Sequence, residues 1–329
     1  MIISQTPLRI SLCGGGTDFL DYYVKEEGFV VSTAIDKFVY VILKERFDEK
    51  IYVGYAKKEI VDSVDEIKHE LVREAAKKAG IVNGFEVSML ADIPSEGSGL
   101  GSSSSLTVGL LNAFYSYLGI QVSAEQLARE ACEIEIDILK KPIGKQDQYI
   151  AAFGGLSTFR FKKDKSVEVG KVDIHGDIKR RLGGNLLLFF TNTTRQSSSI
   201  LTEQKERIDD TIGFLNEIKQ LAFDAVSSLE KGDIDMIGQF LAKNWELKKN
   251  LSSNISNGSI DEMYNLAIAG GATGAKIAGA GGGGFLMAYC PRNNQDTMRE
   301  KMAAYREFPF LLEPFGSRIL FNYRRYDWK

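Results

Sequence analysis

A segment rich in glycine and serine, Pro94–Ser105, is suited to hold phosphate. Three of its residues are glycines, and it ends in four consecutive serines. A β-rich run precedes it, and the apolar run from Leu106 predicts a helix after it. Backbone N–H groups and the dipole at a helix start favour anions, and serine hydroxyls add hydrogen bonds or a ligand for Mg²⁺. Because the lysine of a Walker loop is missing, the pattern predicts a different nucleotide loop, with a flexible linker as the alternative.

Two carboxylates could carry out acid–base or metal chemistry. Glu135 lies on a predicted helix, and Asp147 follows twelve residues later, just after that helix ends. One carboxylate could bind a metal while the other acts as a base. On spacing alone, the alternative is two solvated surface acids, with Lys145 as a surface cation beside them.

Arg9 and Asp18 flank the first glycine cluster, Gly14–Gly16. Arg9 lies in an otherwise apolar run, so we expect it to be either paired or functional. A structural pair between this arginine and a carboxylate is the alternative.

A third glycine cluster includes Gly279, Gly281 and Gly284, which match the pattern GxGxxG. A dinucleotide-binding fingerprint must follow a strand and open a helix, whereas here a helix precedes the cluster and a strand follows it. The match is therefore interpreted as accidental, and a tight packing turn is the alternative.

The elements that position these residues follow from periodicity and from turn signals. Predicted strands cover 39–43, 51–53, 85–90, 156–161, 186–191 and 285–289. Predicted helices cover 63–80, 106–118, 123–139, 198–229, 234–251, 260–269 and 297–305. The polar segment 162–181 has no clear period and marks a soft domain boundary. The pattern is α+β, without the regular alternation of a parallel α/β sheet.

Composition excludes several classes of protein. The chain has 329 residues, 44% hydrophobic and 26% charged, with a net charge of -3, which disfavours binding to a nucleic-acid backbone. No apolar run approaches the length of a membrane span, and no signal peptide is recognisable, so we expect a cytoplasmic protein. Three scattered cysteines and two histidines argue against a disulfide framework and a histidine-based site.

Taken together, these residues resemble the GHMP superfamily of small-molecule kinases, which includes galactokinase, homoserine kinase and mevalonate kinase. Its three motifs occur in order at Pro7–Asp18, Pro94–Ser105 and Gly274–Gly284. The first motif and the run GKQDQY at 144–149 resemble those of bacterial D-glycero-D-manno-heptose 7-phosphate kinases, and bifunctional fucokinases have a similar C-terminal domain. Galactokinases carry a Glu-His pair at the positions of Gly15 and Gly16, which makes galactose a poor candidate.

The resemblance implies an α+β, two-domain GHMP-kinase-like fold with the active site in the interdomain cleft. The N-terminal ATP-binding domain is expected at residues 1–175 and the C-terminal domain at 176–329. ATP is expected along the second motif, with its phosphates against the helix start. The expected ATP-binding residues are Pro94, Gly97, Gly99, Leu100, Gly101, Ser102, Ser103 and Ser104.

The resemblance also implies the roles of the side chains that carry out the chemistry. Ser103 and Glu135 would hold Mg²⁺ between the β- and γ-phosphates. Asp147 would take the proton from the attacking sugar hydroxyl. Arg9 would keep that carboxylate ionised and offset charge on the transferring group.

The expected reaction is ATP-dependent phosphorylation of the anomeric C1 hydroxyl of D-glycero-D-manno-heptose 7-phosphate, which gives the 1,7-bisphosphate. Asp18 would hold sugar hydroxyls, and Arg195, at a predicted helix start, would hold the existing phosphate. The full set of expected substrate-binding residues is Gly16, Thr17, Asp18, Arg195, Gly282 and Gly283. Another GHMP sugar 1-kinase such as a fucokinase, or a catalytically silent sugar-binding relative, remains the alternative. The expected partner is a small sugar phosphate, not nucleic acid or membrane, and the protein is a monomer or a homodimer.

Overall fold

Two long antiparallel strands form the centre of the larger sheet in the computed structural model, which describes residues 1–93, 97–193 and 197–323. Strand β1 (Ile2–Cys13) pairs with β2 (Gly28–Glu45). The first half of β2 also pairs with β6 (Leu156–Phe161), and its second half pairs with β5 (Phe85–Ala91). The sequence indicated only short β-rich runs here, so the length of these two strands is a finding of the structure.

The remaining strands complete two sheets. The larger sheet also contains β3 (Ile51–Gly54), β4 (Lys58–Val61), β7 (Val167–Lys171) and β11 (Arg318–Asn322), in the order β11-β1-β2-β5-β3-β4 with β6 and β7 beside the first half of β2. The smaller antiparallel sheet has the order β8 (Leu186–Phe190), β10 (Phe285–Tyr289), β9 (Gly274–Ile277). Because β11 pairs with β1, the chain returns to the first sheet near its end.

The helices of the described residues pack on these sheets. They are α1 (Leu20–Tyr23), α2 (Glu70–Ala79), α3 (Ser102–Leu118), α4 (Ala124–Cys132), α5 (Gln146–Phe153), α6 (Gly176–Asn185), α7 (Ser197–Glu206), α8 (Ile208–Glu230), α9 (Met236–Lys248), α10 (Gly258–Ala269) and α11 (Gln295–Lys301). A π-helical segment, Glu133–Ile138, continues α4. Among the described residues, none of the helices has the length and apolar character needed to cross a membrane.

Strand β1 is buried on both of its faces. Leu8, Ile10 and Leu12, at the two-residue period of a strand, belong to an apolar cluster shared with α8 and α9. Before the register shift between Pro7 and Leu8 the strand packs against α3 instead, where the hydroxyl of Ser4 donates to the carbonyl of Gly109 at 2.8 Å. The strand therefore ends between helices from both halves of the chain, and the first glycine cluster begins there.

Glycine signals in the sequence predict two helix ends correctly, whereas one predicted helix start is wrong. Gly80 and Gly119 end α2 and α3 in the left-handed conformation, as predicted, with φ of 80° and 77°. The predicted start at Ser63 is wrong, because the chain is extended at Ile67 and His69 caps α2 instead. The predicted helix 198–229 is two helices, and the polar segment 162–181 contains β7, which has no apolar run to reveal it. The domain boundary at 175/176 stays a prediction.

Candidate active site

A cleft of about 470 Å³ opens where the start of α3, the start of α5 and the loop after β1 face α9 and the loop between β9 and β10. The cleft brings together sequence-predicted residues that lie far apart in the chain. Those that line it are Arg9, Gly16, Asp18, Gly97, Gly99, Gly101, Ser102, Ser103, Ser104, Glu135, Asp147 and Gly283.

Arg9 and Asp147 form a bidentate pair in this cleft. The guanidinium donates from Nε to Oδ1 at 2.7 Å and from Nη2 to Oδ2 at 2.6 Å. Its third nitrogen, Nη1, donates to the carbonyl of Gly99 at 2.6 Å. Arg9 is 4% exposed, whereas the side chain of Asp147 keeps 23% of its surface accessible. The buried arginine therefore orients a carboxylate that remains open to the cleft, which fits both the structural pair and the functional role raised by the sequence.

Gly101 brings the start of α3 close to this pair. It has a φ of 80° and is the residue before the first turn of the helix. An ideal Cβ at Gly101 would lie 3.3 Å from Cγ of Arg9 and 3.4 Å from Oδ2 of Asp147. Glycine accommodates this left-handed conformation and this close approach without strain, and the start of α3, where a helix favours anions, therefore lies beside the carboxylate.

The second glycine cluster, Gly97–Gly101 in the glycine- and serine-rich segment, packs backbone against backbone with the third cluster. An ideal Cβ at Gly99 would lie 2.5 Å from the carbonyl oxygen of Ala278, and one at Gly279 would lie 2.6 Å from Cα of Gly99. The third cluster joins two antiparallel strands, β9 and β10, and opens no helix. The GxGxxG match is therefore a tight packing turn and not a dinucleotide-binding fingerprint.

Glu135 is fully buried in the wall of the cleft, on the π-helical segment. Its Oε1 accepts from the hydroxyl of Ser103 at 2.6 Å, and its Oε2 accepts from Nε2 of Gln148 at 2.8 Å. Single π-helical turns are frequent at functional sites because they move one side chain out of the regular helical register. The alternative of a solvated surface acid is wrong for this residue.

The ammonium group of Lys141 contacts the Ser103–Glu135 pair. Nζ of Lys141 lies 3.2 Å from the hydroxyl of Ser103 and 3.6 Å from Oε1 of Glu135. Mg²⁺ at nucleotide sites takes oxygen ligands, usually one or two from the protein together with phosphates and waters. A carboxylate and a hydroxyl fit that mode. The described residues hold no cluster of three or more His, Cys, Asp or Glu that could bind a metal without further ligands.

Asp18 is 2% exposed and fastens the loop after β1 to the start of α5. Its carboxylate accepts from the backbone N–H of Gly16 at 3.0 Å and of Gln146 at 3.1 Å. Burial, and to a smaller extent the charge of Asp147, raises the pKa of this carboxyl above its ordinary value, although the two backbone hydrogen bonds act in the opposite direction. These hydrogen bonds hold the carboxylate in a fixed position in the wall of the cleft.

Three predicted site residues do not line the cleft and instead stabilise the loops and the core around it. The hydroxyl of Thr17 donates to the carbonyl of Gly14 at 2.8 Å, and the side chain of Leu100 is fully buried in the apolar core. The N–H of Gly282 donates to the carbonyl of Ile255 at 2.8 Å. The sequence alone could not distinguish these three residues from the adjacent residues that do line the cleft. The two predicted residues Pro94 and Arg195 lie outside the described residues.

Two buried lysines, Lys248 on α9 and Lys276 on β9, line the cleft, and the sequence analysis missed both. Burial lowers the pKa of Lys276 to about 8 and that of Lys248 well below its ordinary value. The sequence does contain a signal for the burial of Lys248, because Ile237, Leu241 and Lys248 follow the spacing of a buried helix face.

Comparison with known proteins identifies the family. The model of the GHMP kinases N terminal domain matches residues 66–155, and that of the GHMP kinases C terminal domain matches residues 225–307. A curated heptose 7-phosphate kinase is also 33% identical over 95% of this chain. The chain belongs to the GHMP kinases. As a GHMP kinase it is an ATP-dependent phosphotransferase, and the expectations for family, fold class and enzyme class are confirmed.

Two relatives of this GHMP kinase are sugar kinases. The first, "D-glycero-alpha-D-manno-heptose 7-phosphate kinase" of Campylobacter jejuni, is covered over 97% of its own length. The "L-fucokinase/L-fucose-1-P guanylyltransferase" of Bacteroides fragilis is 26% identical over 87% of this chain, which spans 34% of that bifunctional protein.

Solved structures have the same fold over nearly the whole chain. A D-glycero-D-manno-heptose 1-phosphate kinase from Bacteroides thetaiotaomicron superposes with a TM-score of 0.83 and 25% identity, over 98% of this chain and 100% of that one. A putative sugar kinase from Campylobacter jejuni gives a TM-score of 0.79 and 30% identity, over 97% of both chains. The GHMP kinase fold is therefore established for this chain.

Proposed function

We propose that this GHMP kinase transfers the γ-phosphoryl group of ATP to the anomeric hydroxyl of D-glycero-D-manno-heptose 7-phosphate. The observation that carries the choice of sugar is the similarity to the heptose 7-phosphate kinase of Campylobacter jejuni, 33% identical over 95% of this chain. Gly15 and Gly16 support it, because they present no side chain at the positions where galactokinases have a Glu-His pair.

Asp147 is the proposed base. As the C1 oxygen of the sugar attacks the γ-phosphorus, the bond to the bridging oxygen breaks and ADP leaves. The hydroxyl proton passes to a carboxylate oxygen of Asp147. Arg9 holds that carboxylate through both oxygens and places a positive charge near the phosphoryl group in transfer.

The start of α3 is the proposed site for the phosphates of ATP. Ser102, Ser103 and Ser104 form the first turn of a 17-residue helix and line the cleft, so their backbone N–H groups and the helix dipole favour anions there. Ser103 and Glu135 are the proposed ligands of Mg²⁺, which when bound neutralises charge on the phosphates.

Asp18 is the proposed anchor for the sugar. Its carboxylate is held rigidly beside Asp147 and can accept from sugar hydroxyls, while Gly16 and Gly283 let the substrate approach backbone. Arg195 stays a candidate for the existing phosphate. The net charge of -3 supports a small-molecule substrate over nucleic acid. We place the enzyme in the cytoplasm as a monomer or homodimer, with no membrane partner.

A fucokinase is the second candidate, favoured by the similarity to the fucokinase of Bacteroides fragilis over 87% of this chain. An ADP-release screen over heptose 7-phosphate, heptose, fucose, mannose and galactose compares the candidates. We expect the highest kcat/KM with heptose 7-phosphate; a higher value with fucose would select the second candidate.

Phosphorus NMR of the product tests the position of transfer. The resident 7-phosphate couples to two protons on C7, whereas a new phosphate on C1 couples to one anomeric proton and gives a doublet. A new signal coupled to any other proton would contradict transfer to C1.

A further inference from the structure

Two further buried cations line the cleft, apart from the Arg9–Asp147 pair. The corner formed by these residues, Lys248 and Lys276, is the cationic corner. Lys248 is 8% exposed and lines the cleft at the end of α9. Its ammonium donates to the carbonyl of Gly279, and within the described parts of the chain no carboxylate pairs with it. An ammonium has three donors, so two of them have no partner in this network.

The surroundings of Lys248 supply further positive charge, and no carboxylate among the described residues offsets it. Lys276 lies nearby and donates to the carbonyl of Leu12 at 2.9 Å and to Oδ1 of Asn244 at 2.8 Å. Burial, with the charges of Lys276 and Arg9, lowers the pKa of Lys248 well below its ordinary value. Burying a cation without an anion is costly, so this corner is arranged for an anion that the free protein does not itself provide.

An unpaired hydroxyl supports the same interpretation independently. Oγ of Ser11 is buried and has no hydrogen-bond partner among the described residues, and Ser11 lines the cleft. Its neighbour Leu12 accepts the hydrogen bond from Lys276. A buried donor without a partner is rare in a folded protein and calls for a ligand or an ordered water.

The end of α9 that carries Lys248 packs beside the first glycine cluster, where the proposed sugar-binding residue Gly16 lies. An ideal Cβ at Gly16 would lie 3.8 Å from Cδ1 of Leu251, whose N–H donates to the carbonyl of Lys248 at 3.0 Å. Oγ of Ser11 would lie 3.7 Å from an ideal Cβ at Gly15. The glycines at the positions of the galactokinase Glu-His pair therefore lie against the end of α9, and from there the side chain of Lys248 reaches the carbonyl of Gly279.

We propose that Lys248, assisted by the hydroxyl of Ser11, binds the phosphate group that the sugar already carries and makes the kinase select a phosphorylated sugar. This inference rests on the proposed function. It names a specificity-determining residue on α9, whereas Arg195 was the residue expected from the sequence.

The test uses Lys248→Met, which keeps the length of the side chain without its charge, and Lys248→Arg, which keeps the charge. Lys249→Met is the matched control, because Lys249 is the next residue and is exposed. For each variant we would measure kcat/KM with heptose 7-phosphate and with unphosphorylated heptose. We would also measure the Kd of heptose 7-phosphate by calorimetry without ATP, so that no γ-phosphate is present.

We expect Lys248→Met to lower the ratio of kcat/KM between the phosphorylated and the unphosphorylated sugar by ~10–150-fold and to raise the Kd by a similar factor, as for loss of a charge-assisted hydrogen bond. Lys248→Arg should recover most of this preference, and Lys249→Met should match the wild type. A smaller loss of the ratio is expected for Ser11→Ala.

Other outcomes would overturn the inference. A ratio that stays the same while the Tm falls would make Lys248 a structural support for Gly279. An effect on the KM of ATP alone would assign it to the nucleotide phosphates. If the wild type phosphorylates heptose 7-phosphate but Lys248→Met keeps the wild-type preference for it, the proposed function stands and Lys248 is not the ligand of the sugar phosphate. If the wild type itself prefers an unphosphorylated sugar, both fail.

Discussion

Arg9 and Asp147, 138 positions apart in the chain, form two hydrogen bonds of 2.7 and 2.6 Å through both oxygens of the carboxylate. The same guanidinium also binds the carbonyl of Gly99 in the second glycine cluster at 2.6 Å. One buried side chain from β1 thus fixes the distance between the proposed base and the proposed phosphate site. Such fixed geometry is what phosphoryl transfer requires, since positioning and electrostatics supply most of the catalysis.

Replacement of Asp147 by Asn keeps the shape but removes the proton acceptor. We expect kcat to fall by ~10²–10⁴-fold, because removal of a general base typically costs that much, while the Kd of ATP stays within about threefold. Single-turnover rates and calorimetry check the two parts. Asp177→Asn, at an exposed carboxylate on α6, is the control. Retention of more than about half of kcat would show that another group accepts the proton.

Replacement of Gly101 by Ala tests the close approach at the start of α3. The new Cβ would contact Arg9 and Asp147 at 3.3 to 3.4 Å, so we expect weaker ATP binding and a lower kcat. Gly80→Ala is a matched control, because Gly80 also has a φ of 80° but has nothing within 4 Å of an ideal Cβ. Both variants carry a similar backbone strain of ~1–2 kcal/mol. A loss of activity in Gly101→Ala alone is therefore due to the contacts of the new Cβ with Arg9 and Asp147. Equal kinetics in the two variants would contradict it.

Replacement of Glu135 by Gln should raise the Mg²⁺ concentration needed for half-maximal activity, because a neutral amide is a weaker ligand than a carboxylate. The measurement is a Mg²⁺ titration at fixed ATP. Glu133→Gln is the control, since Glu133 lies on the same π-helical segment but pairs with Lys78 and Arg129 away from the cleft. A response to Mg²⁺ that is the same in both variants and the wild type would exclude Glu135 as a ligand.

His69 gives the free energy of unfolding a dependence on pH. Its Nδ1 accepts from the N–H of Val72 at the start of α2, and burial lowers the pKa of the imidazole below 6.5. Because the unfolded chain binds the proton more readily, this contribution is present above about pH 6.5 and is lost as the pH falls through the lowered pKa of the folded state.

Urea unfolding of the wild type and of His69→Ser at several pH values between about 5 and 8 measures this contribution. Serine caps a helix without titrating in this range, so we expect the free energy of unfolding of the variant to fall less on acidification than that of the wild type. His175→Ser is the control, because His175 caps α6 at an exposed position. Parallel pH curves for the wild type and His69→Ser would rule out this role.

Much of the local structure, and the candidate residues for the chemistry, could be predicted from the sequence. The order of the three glycine-rich motifs indicated the family, and Asp147, Arg9 and Glu135 were selected as residues that could act. Strands at 156–161 and 285–289 and the helix stops at Gly80 and Gly119 follow from short-range patterns, because period-2 alternation and left-handed glycine act within a few residues.

Which residues face the cleft, and which of the described residues are buried without a hydrogen-bond partner, depends on the tertiary structure. The N–H···O bond from Lys276 to Leu12 joins residues 264 positions apart, and the contact between Gly279 and Gly99 joins two separate motifs. No local pattern encodes such pairs. Burial, and with it the cost of an unpaired charge, depends on everything that packs around a side chain, so the burial of Lys248, Ser11 and Leu100 follows only from the folding of both halves of the chain together.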